Sequence, residues 1–475
     1  MMKIAFICTE KLPVPPIAGG AIQLYIDGIV PYLCKEHDIT VISIKYPGLS
    51  EDELKDGVRY IRVPAKSAVQ YISNIKKYLA EANAFDLVHI FNRPKWVLEI
   101  GRDYPNIKLS LSLHNEMFHS EKISDLDAAE CVERVEFINT VSAFIADGVK
   151  KRVPSAEPKL HVVYSGADLE KYKPNWTQEG IQNKLQLKEK YGLEGYKIIL
   201  FIGRLSVKKG VHVLMQAVKR VMEEHENVAF VIVGSKWYGK NETDEYTVSL
   251  EQTSRSLGGP IIFTGFLPPS QVPAYYNLGD IFVCSSQWNE PLARVHYEAM
   301  AAGLPIITTN RGGNAEVIKP DVNGMIVHSC SKPEEFVESI DYLLKNPEEA
   351  EKLGRNGRKM AEEKYNWERV AGEVLQPIDS QVVINEVRKE AKTEQKETKQ
   401  TERKASEREI KEKFNWERVV GEVLQPIDSR VVIKEARKEA KQKERKEVKQ
   451  TERKASEREV IVLKKDKDGF VILDF

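Results

Sequence analysis

Two glutamates that frame the turn into one predicted helix are the residues most suited to bind a polar ligand. Glu290 lies in a polar loop after the apolar run 281–284, and Glu298 lies inside a helix predicted over 296–302, with seven residues between the two acids. The apolar run 305–308 follows, which completes the strand–helix–strand order of a parallel sheet. Loops that leave the carboxyl ends of parallel strands line the ligand crevice, so both carboxylates can reach one crevice. Two acids facing a crevice suit a polyhydroxylated ligand.

Arg204 and Lys209 form a second candidate group, suited to a diphosphate. They belong to the turn 203–210, which follows a predicted strand over 197–202. Two cations at such a turn, aimed by glycines, can neutralise a diphosphate leaving group without a metal. Most lysines and arginines are simply solvated, but the strand order puts this turn on the same sheet edge as Glu290. Neither half of the chain shows the close pair of aspartates that would hold Mg²⁺, so no metal and no other cofactor is expected.

A histidine and two glycine pairs complete the candidate set. His114 directly follows a predicted buried strand, at the edge that faces the crevice. A lone histidine is more often structural, but this position favours a functional role. The pairs Gly19 and Gly20, and Gly312 and Gly313, each precede a predicted helix. Glycines allow close backbone approach, and free N–H groups at a helix start bind phosphate or sugar oxygens.

Alternating strands and helices must position these residues. Apolar runs predict the following strands: 3–8, 39–44, 60–63, 87–91, 108–113, 137–141, 197–202, 228–233, 261–266, 281–284 and 305–308. With helical patterns between most of them, this alternation specifies doubly wound parallel sheets in an α/β fold. The stretch 175–190 has few periodic apolar residues and is interpreted as a polar linker between the two halves.

Composition narrows the class of protein. The 475 residues are enough for about two or three domains, and the net charge of +0 gives no general attraction to nucleic acid or an anionic membrane. The five cysteines are widely spaced and mostly in apolar runs, which favours reduced thiols in the cytosol. The first residues lack the length and cleavage site of a signal peptide, and no stretch approaches 18 apolar residues. A soluble, cytoplasmic protein is expected.

The combined pattern resembles the family-four retaining glycosyltransferases. Their hallmark is two glutamates separated by seven residues and followed by an Ala-Met-Ala-x-Gly-x-Pro run, matched here by Glu290, Glu298, 299–301, Gly303 and Pro305. The Leu-Ala that follows Pro291 replaces the usual Phe-Gly. Over about residues 2–375, the resemblance implies two Rossmann-like domains facing across a cleft, the GT-B arrangement. It also implies a metal-independent hexosyltransferase that uses a UDP- or GDP-sugar and retains the anomeric configuration.

The resemblance also implies a role for each candidate residue. Glu290 would contact the donor sugar and Glu298 the ribose, while His114 would lie near the donor sugar and the attacking hydroxyl. Arg204 and Lys209 would bind the diphosphate. The first glycine pair, Gly19 and Gly20, would border the donor phosphate and the acceptor, which is a glycan, a lipid or a protein. The second pair, Gly312 and Gly313, would bind the donor.

The domain prediction has four parts. Residues 1–172 form an acceptor domain and residues 173–363 a nucleotide-sugar donor domain. Residues 364–384 form a helix that returns to the first domain, as the resemblance implies. Residues 385–475 form a charged, mostly helical or disordered extension, because 17 of the 28 residues over 385–412 are charged and almost none is large and apolar.

The extension contains a repeat. The segment 364–380 reappears as 413–429, within a duplicated copy that spans 413–459. Two copies are too few for a solenoid. The apolar face of the second copy needs another surface, so self-association or contact with coat proteins is a possible use. Residues 460–475 alternate around Asp468-Gly469 as a hairpin would.

Two fragments narrow the resemblance further. Residues 10–15 and 290–298 look like those of spore-coat-associated glycosyltransferases of endospore-forming bacteria. A role in cell-surface or spore-coat glycan synthesis follows as an expectation, with possible association with the coat. The alternative is a structural coat protein on a glycosyltransferase scaffold, with weak or no catalysis. A third interpretation is a nucleotide-sugar epimerase or a glycogen-synthase-like polymerase, which the short loops disfavour.

Overall fold

The computed structural model describes residues 1–82, 85–236, 244–378, 462–465 and 471–474. The chain divides into two compact units, Met1–Leu375 and Gln376–Phe475. All the candidate site residues belong to the first unit.

Eight strands form the first sheet of this unit. They are β1 Lys3–Ile7, β2 Asp38–Ile44, β3 Asp52–Lys55, β4 Val58–Val63, β5 Leu87–Phe91, β6 Lys108–Leu113, β7 Ile138–Thr140 and β8 Leu160–Val162. Their order is β3-β4-β2-β1-β5-β6-β7-β8, and every neighbouring pair except β3 with β4 is parallel. The central strand β5 is buried along its whole length, as expected for a parallel strand covered on both faces.

Five helices accompany this sheet. They are α1 Ala21–Leu33, α2 Ala68–Glu81, α3 Pro94–Asp103, α4 Asp125–Arg134 and α5 Ala143–Arg152. A short 3₁₀ helix follows at Pro154–Lys159. Helix α2 illustrates the packing, since Tyr71, Ile72, Ile75 and Leu79 recur at helical spacing and are all buried.

Six strands form the second sheet. They are β9 Lys197–Ile202, β10 Val228–Val233, β11 Ile261–Phe263, β12 Ile281–Cys284, β13 Ile306–Thr309 and β14 Gly324–Val327. Their order is β11-β10-β9-β12-β13-β14, and all the pairs are parallel. The accompanying helices are α6 Gln178–Tyr191, α7 Val211–Glu224, α8 Glu245–Ser254, α9 Val272–Leu278, α10 Val295–Ala301, α11 Pro333–Lys345 and α12 Pro347–Lys364. Two 3₁₀ helices lie at Val207–Lys209 and Asn314–Val317.

The predicted α/β fold with two Rossmann-like domains is confirmed by these two sheets, which are parallel except for the edge strand β3. The proposed boundaries at residues 172 and 363 stay predictions, because both sheets belong to one compact unit. We call the two halves the N-terminal domain, built on the first sheet, and the C-terminal domain, built on the second.

Helix α13, Trp367–Val374, returns from the C-terminal domain to α1. The Trp367 ring packs on Tyr25 with a centroid distance of 5.9 Å. It also lies over Gly28, where an added Cβ would be only 2.3 Å from Trp367 Cε2. At the far end of the helix, Asn139 Nδ2 donates a hydrogen bond of 2.8 Å to the Val374 carbonyl. The last helix of this unit therefore covers one of its first.

The prediction of a polar linker over 175–190 is wrong, because α6 occupies most of it. Thr177 begins the helix by accepting a hydrogen bond from Gly180 N at 3.1 Å, and Gly192 ends it in the left-handed region. Gly180 is the one buried residue among the fourteen of this helix. A surface helix with so little buried surface lacks the apolar periodicity that would have identified it.

Three strands of the described sheets were not predicted. Strand β3 is a mostly exposed, polar edge strand, and β8 has only three residues. Strand β14 begins with a glycine and is half-buried. Strand β3 has one apolar residue, and the apolar stretches of β8 and β14 are shorter than the about four residues that a pattern search requires.

In the second unit, β15 Val462–Lys465 and β16 Val471–Asp474 pair antiparallel, with Val462 opposite Asp474. The predicted charged helices and the duplicated copy over 413–459 lie outside the described residues. Among the helices that the structure describes, none is both long and apolar enough to cross a bilayer.

Candidate active site

The carboxyl ends of both sheets border one cavity of about 830 Å³. Seven of the nine predicted site residues line it: Gly19, Gly20 and His114 from the N-terminal domain, and Arg204, Lys209, Glu290 and Glu298 from the C-terminal domain. Their assignment to binding or catalysis stays a prediction, but the structure brings them together. Gly312 and Gly313 are not among the lining residues.

Glu290 lies in the loop between β12 and α10 and is only 4% exposed. Its Oε1 accepts a hydrogen bond of 2.9 Å from Ser286 Oγ and forms an ion pair with Lys209 Nζ. Burial alone would raise the pKa of Glu290. The charge of Lys209 and the hydrogen bonds outweigh burial and lower the pKa below its usual range. The carboxylate is therefore ionised at neutral pH.

Close backbone packing brings Lys209 to Glu290. Lys209 ends the 3₁₀ turn after β9, and Gly210 follows with a φ of 73°. A Cβ at Gly210 would lie 2.0 Å from the Ser285 carbonyl oxygen, so this approach requires glycine. Ser285 Oγ also donates a hydrogen bond of 2.9 Å to the Lys209 carbonyl. Arg204, from the loop between β9 and this 3₁₀ turn, also lines the cavity.

Glu298 lies in α10 and is 6% exposed. Tyr276 donates a hydrogen bond of 2.8 Å from its hydroxyl to Glu298 Oε2, and Arg294 Nη2 lies 3.4 Å from Oε1. Tyr276 is fully buried in the core, which agrees with its omission from the predicted site. Both carboxylates of the motif are thus held in fixed orientations by neighbouring side chains.

His114 follows β6 on the opposite side of the cavity. Its backbone N donates a hydrogen bond of 2.7 Å to Asn92 Oδ1, and its ring packs edge-on against Tyr25 at a centroid distance of 4.7 Å. Burial, and then the charge of Arg294, lower the pKa of His114 to about 3. Within the described residues, its buried Nε2 has no hydrogen-bond partner. A neutral imidazole can donate or accept one hydrogen bond at such a nitrogen.

Gly19 and Gly20 lie at the start of α1, with φ angles of 84° and 103°. A Cβ at Gly20 would lie 2.2 Å from Gln23 Oε1 and 2.8 Å from Leu12 Cδ1. Both the conformation and the crowding require glycine. Both glycines and the first-turn residues 21–24 of α1 line the cavity.

Gly312 and Gly313 lie behind the Glu290 loop. Gly313 N donates a hydrogen bond of 2.8 Å to the Glu290 carbonyl, and Gly312 forms a β-bridge with Glu290. An added Cβ at Gly312 would lie 2.0 Å from the Glu290 carbonyl oxygen. These glycines are therefore required because the segment packs closely against the backbone of the Glu290 loop. Their predicted contact with the donor stays a prediction.

Sequence reasoning did not select an ion pair in the cavity wall, Glu10 with Arg93. Arg93 Nη2 lies 2.6 Å from Glu10 Oε1, and Arg93 Nε lies 2.9 Å from Oε2. Ser286, which holds Glu290, was also missed. A position within three residues of the carboxyl end of a strand is the signal that could have identified all three residues.

One group in the described part of the chain has ligand atoms close enough to hold a metal ion: Glu224, His225 and Asp341, whose atoms lie within 4.8 Å of one another. These residues do not line the cavity. Asp341 already accepts 2.8 Å contacts from His225 Nε2 and from Lys345 Nζ. This group is therefore separate from the candidate site.

Comparison with known proteins identifies the family. The family model described as "Glycosyl transferases group 1" matches residues 183–360. The chain is 46% identical over 375 residues to "Spore coat protein SA" of Bacillus subtilis (strain 168), an alignment that covers 79% of this chain and 98% of that protein. The chain belongs to the group 1 glycosyl transferases. The "Putative glycosyltransferase YtcC" of the same organism is 45% identical over 370 residues, covering 78% of this chain and 90% of that protein.

Solved structures share the fold of this chain. Anabaena Alr3699/HepE, crystallised in complex with UDP-glucose, has a TM-score of 0.65 at 20% identity, and the match covers 80% of this chain and all of that one. The sucrose-phosphate synthase of Thermosynechococcus elongatus has a TM-score of 0.67 at 18% identity, with 81% of this chain covered. At these identities the likeness establishes the GT-B fold. Membership of the group 1 glycosyl transferases supports glycosyl transfer, so the predicted resemblance is confirmed.

Proposed function

We propose that this group 1 glycosyl transferase moves a sugar from a nucleoside-diphosphate sugar to an acceptor hydroxyl, with retention of configuration and without a metal. One observation carries the proposal: a single cavity has Arg204, Lys209, Glu290 and Glu298 on one side and His114 on the other. Its volume of about 830 Å³ is within the usual range for ligand pockets. The complex of Alr3699/HepE with UDP-glucose supports a nucleotide-sugar donor.

The charges of the site suit a diphosphate leaving group. In the proposed reaction, the bond between the sugar C1 and the diphosphate oxygen breaks, and the electron pair leaves with the diphosphate. The acceptor oxygen bonds to C1 on the same face, and its proton passes to the departing phosphate oxygen. Arg204 and Lys209 stabilise the negative charge that develops on the diphosphate.

The remaining residues orient the two substrates. Glu290 is engaged by Lys209 and Ser286, so its carboxylate suits the binding of sugar hydroxyls better than attack on C1. Glu298 is proposed to bind the ribose. His114 faces the reacting centre from the N-terminal domain, which would bind a glycan, lipid or protein acceptor. The proposed donor is a UDP-sugar or a GDP-sugar.

Calorimetric titration with UDP-, GDP- and ADP-sugars, followed by a transfer assay with the donor that binds, tests the proposal. Arg204→Ala is expected to lower turnover by roughly 10²-fold or more, the usual cost of losing one group that stabilises developing charge. Glu290→Ala is expected to lower turnover as well, because it removes the proposed sugar contact and the ion-pair partner of Lys209. Wild-type turnover in either variant would disprove the assignment of these residues. A chain that binds none of the three donors would contradict the proposed enzyme.

A second candidate function is structural, because the relative that is 46% identical is named a spore coat protein. In that case the scaffold would serve the coat without catalysis. The enzymatic role is preferred because the cations and carboxylates of the cavity are all present. A charge-removed variant, Arg204→Ala with Glu290→Ala, separates the two roles. If the protein is structural, spores that carry this variant should assemble a normal coat. If the protein is an enzyme, the coat glycans of these spores should be altered.

A further inference from the structure

The segment 312–316, singled out in the sequence for its glycine pair, connects the two domains. At its start, Gly313 N donates a hydrogen bond of 2.8 Å to the Glu290 carbonyl. At its end, Glu316 reaches the N-terminal domain. Glu316 Oε2 accepts a hydrogen bond from Ala143 N at 2.7 Å, and Oε1 accepts one from Phe144 N at 2.8 Å.

The partner of Glu316 is the first turn of α5. The first N–H groups of a helix have no partner within the helix, and the helix dipole places positive charge there. Ser142 caps this helix by accepting a hydrogen bond from Ile145 N. The Glu316 carboxylate satisfies the two preceding N–H groups with charge-assisted hydrogen bonds. A side chain of the C-terminal domain thus completes the cap of a helix in the N-terminal domain.

Two further contacts define this junction. The Tyr164 hydroxyl donates a hydrogen bond of 3.0 Å to Glu316 Oε2, and Tyr164 lies just after β8, where the chain leaves the first sheet. A Cβ at Gly313 would lie 2.8 Å from Ser142 Cβ and 2.2 Å from the Pro291 carbonyl oxygen. The glycine is therefore needed for the two domains to approach at this point.

We infer that Glu316 is a positioning residue that sets Glu290 opposite His114 by holding the segment 312–316 on α5. This inference rests on the proposed function, in which those two residues act from opposite sides of the cavity. The path is short, since Glu316 contacts α5 and Gly313 contacts the backbone of Glu290. Glu316 itself does not line the cavity. Its removal should therefore affect turnover more than nucleotide binding.

Glu335 supplies a matched control. Its Oε2 also accepts two backbone hydrogen bonds, from His328 N at 2.8 Å and Ser329 N at 3.0 Å. These contacts are all within the C-terminal domain. Glu316→Gln and Glu335→Gln remove the same charge from the same kind of site, and only the first of them changes the contact between domains.

The experiment measures kcat with the donor identified by calorimetry and the dissociation constant of UDP for each variant. Glu316→Gln is expected to lower kcat by roughly 10-fold or more, since misplacing reacting groups by about 1 Å can cost up to about 10²-fold. UDP binding should stay within about twofold of wild type. Tyr164→Phe should give part of the loss, and the double variant should lose less than the product of the two effects because they share one carboxylate.

Three results would overturn the inference. They are an unchanged kcat in Glu316→Gln, a loss of UDP affinity in Glu316→Gln as large as its loss of kcat, or a loss of kcat in Glu335→Gln as large as that in Glu316→Gln. Hydrogen exchange of the α5 amides tests the contact independently of catalysis. The amides of 143–145 should exchange faster in Glu316→Gln than in wild type or Glu335→Gln, and equal exchange would disprove the contact. If wild type binds no nucleotide, the proposed function fails and the kinetic role of Glu316 fails with it, while exchange still decides the contact.

Discussion

At the scale of single residues, Lys209 and Glu290 depend on each other. The side chains are only 19% and 6% exposed, so removing one leaves the other as a buried charge without its main partner. A diphosphate bound at Lys209 would compete with Glu290 for the ammonium group. Before a donor binds, the ion pair holds the Lys209 ammonium and the Glu290 carboxylate in place.

The proposed role of Lys209 in stabilising the leaving group can be tested because a second lysine, Lys208, precedes it. Lys209→Met should lower kcat/KM by roughly 10²- to 10³-fold, because one cation that stabilises the leaving group is lost. Lys208 is a matched control, since its Nζ lies 4.9 Å from the centre of the Trp288 ring and it does not line the cavity. Lys208→Met should stay within a few-fold of wild type in initial-rate assays. Equal losses in the two variants would show that general charge, rather than position, matters.

At the scale of the elements, the junction between α1 and α13 depends on one glycine. Gly28 lies inside α1, where glycine is otherwise unfavourable by about 0.5–1 kcal/mol relative to alanine. It is tolerated because the Trp367 ring occupies the space that a Cβ would need. The same ring lies beside Arg294, whose guanidinium carbon is 5.1 Å from the ring centre. The junction thus extends from α1 to the loop of the candidate site.

Two glycine-to-alanine changes separate packing from helix propensity. Gly28→Ala should lower the free energy of unfolding by about 1–3 kcal/mol, because the new methyl group overlaps the Trp367 ring. Gly148→Ala in α5 should instead raise it by about 0.5–1 kcal/mol, since no atom lies within 4 Å of the added Cβ. Urea denaturation measures both. The same sign of change in both variants would contradict the packing described here.

Sequence patterns predicted the strands that are buried along most of their length. They missed the features that depend on contacts between residues far apart in the chain. Strand β10 is apolar throughout and β9 is apolar after its first residue, Lys197, so their bounds and the polar residues after them were predictable. A glycine pair before a helix looks the same whether the close approach is to phosphate or to backbone. For that reason Gly312 and Gly313 were assigned to the donor, while Glu316, whose partners are 172 and 173 residues away, went unnoticed.

At the scale of the whole molecule, two histidines with lowered pKa values link stability to pH. His89 lies between the hydroxyls of Ser110 and Ser112, at 2.8 and 2.7 Å, and burial together with the nearby His114 lowers its pKa to about 3. The pKa of His114 is also lowered to about 3. Both values lie below the usual 6.5, so the unfolded chain takes up protons at a pH where the folded chain does not.

The stabilisation is therefore complete above about pH 6.5 and declines as the pH falls towards 3. Each histidine should contribute a slope of about 1.4 kcal/mol per pH unit within that window. Chemical denaturation at a series of pH values measures the total slope. His89→Gln should reduce the slope by about the contribution of one proton, even if it also lowers stability at pH 7. A slope that is the same in wild type and variant would contradict this account.

The return of α13 to α1 has a consequence for synthesis on the ribosome. The surface of α1 that holds the Trp367 ring is complete once residue 33 has emerged, but the ring follows 334 residues later. At 5–20 residues per second, that interval is roughly 17–70 s. Throughout it the nascent N-terminal domain lacks the ring that covers Gly28, and such uncovered apolar surface favours chaperone binding and misassembly between neighbouring chains. The nascent chain can therefore cover the Gly28 surface of α1 only after residue 367 has emerged.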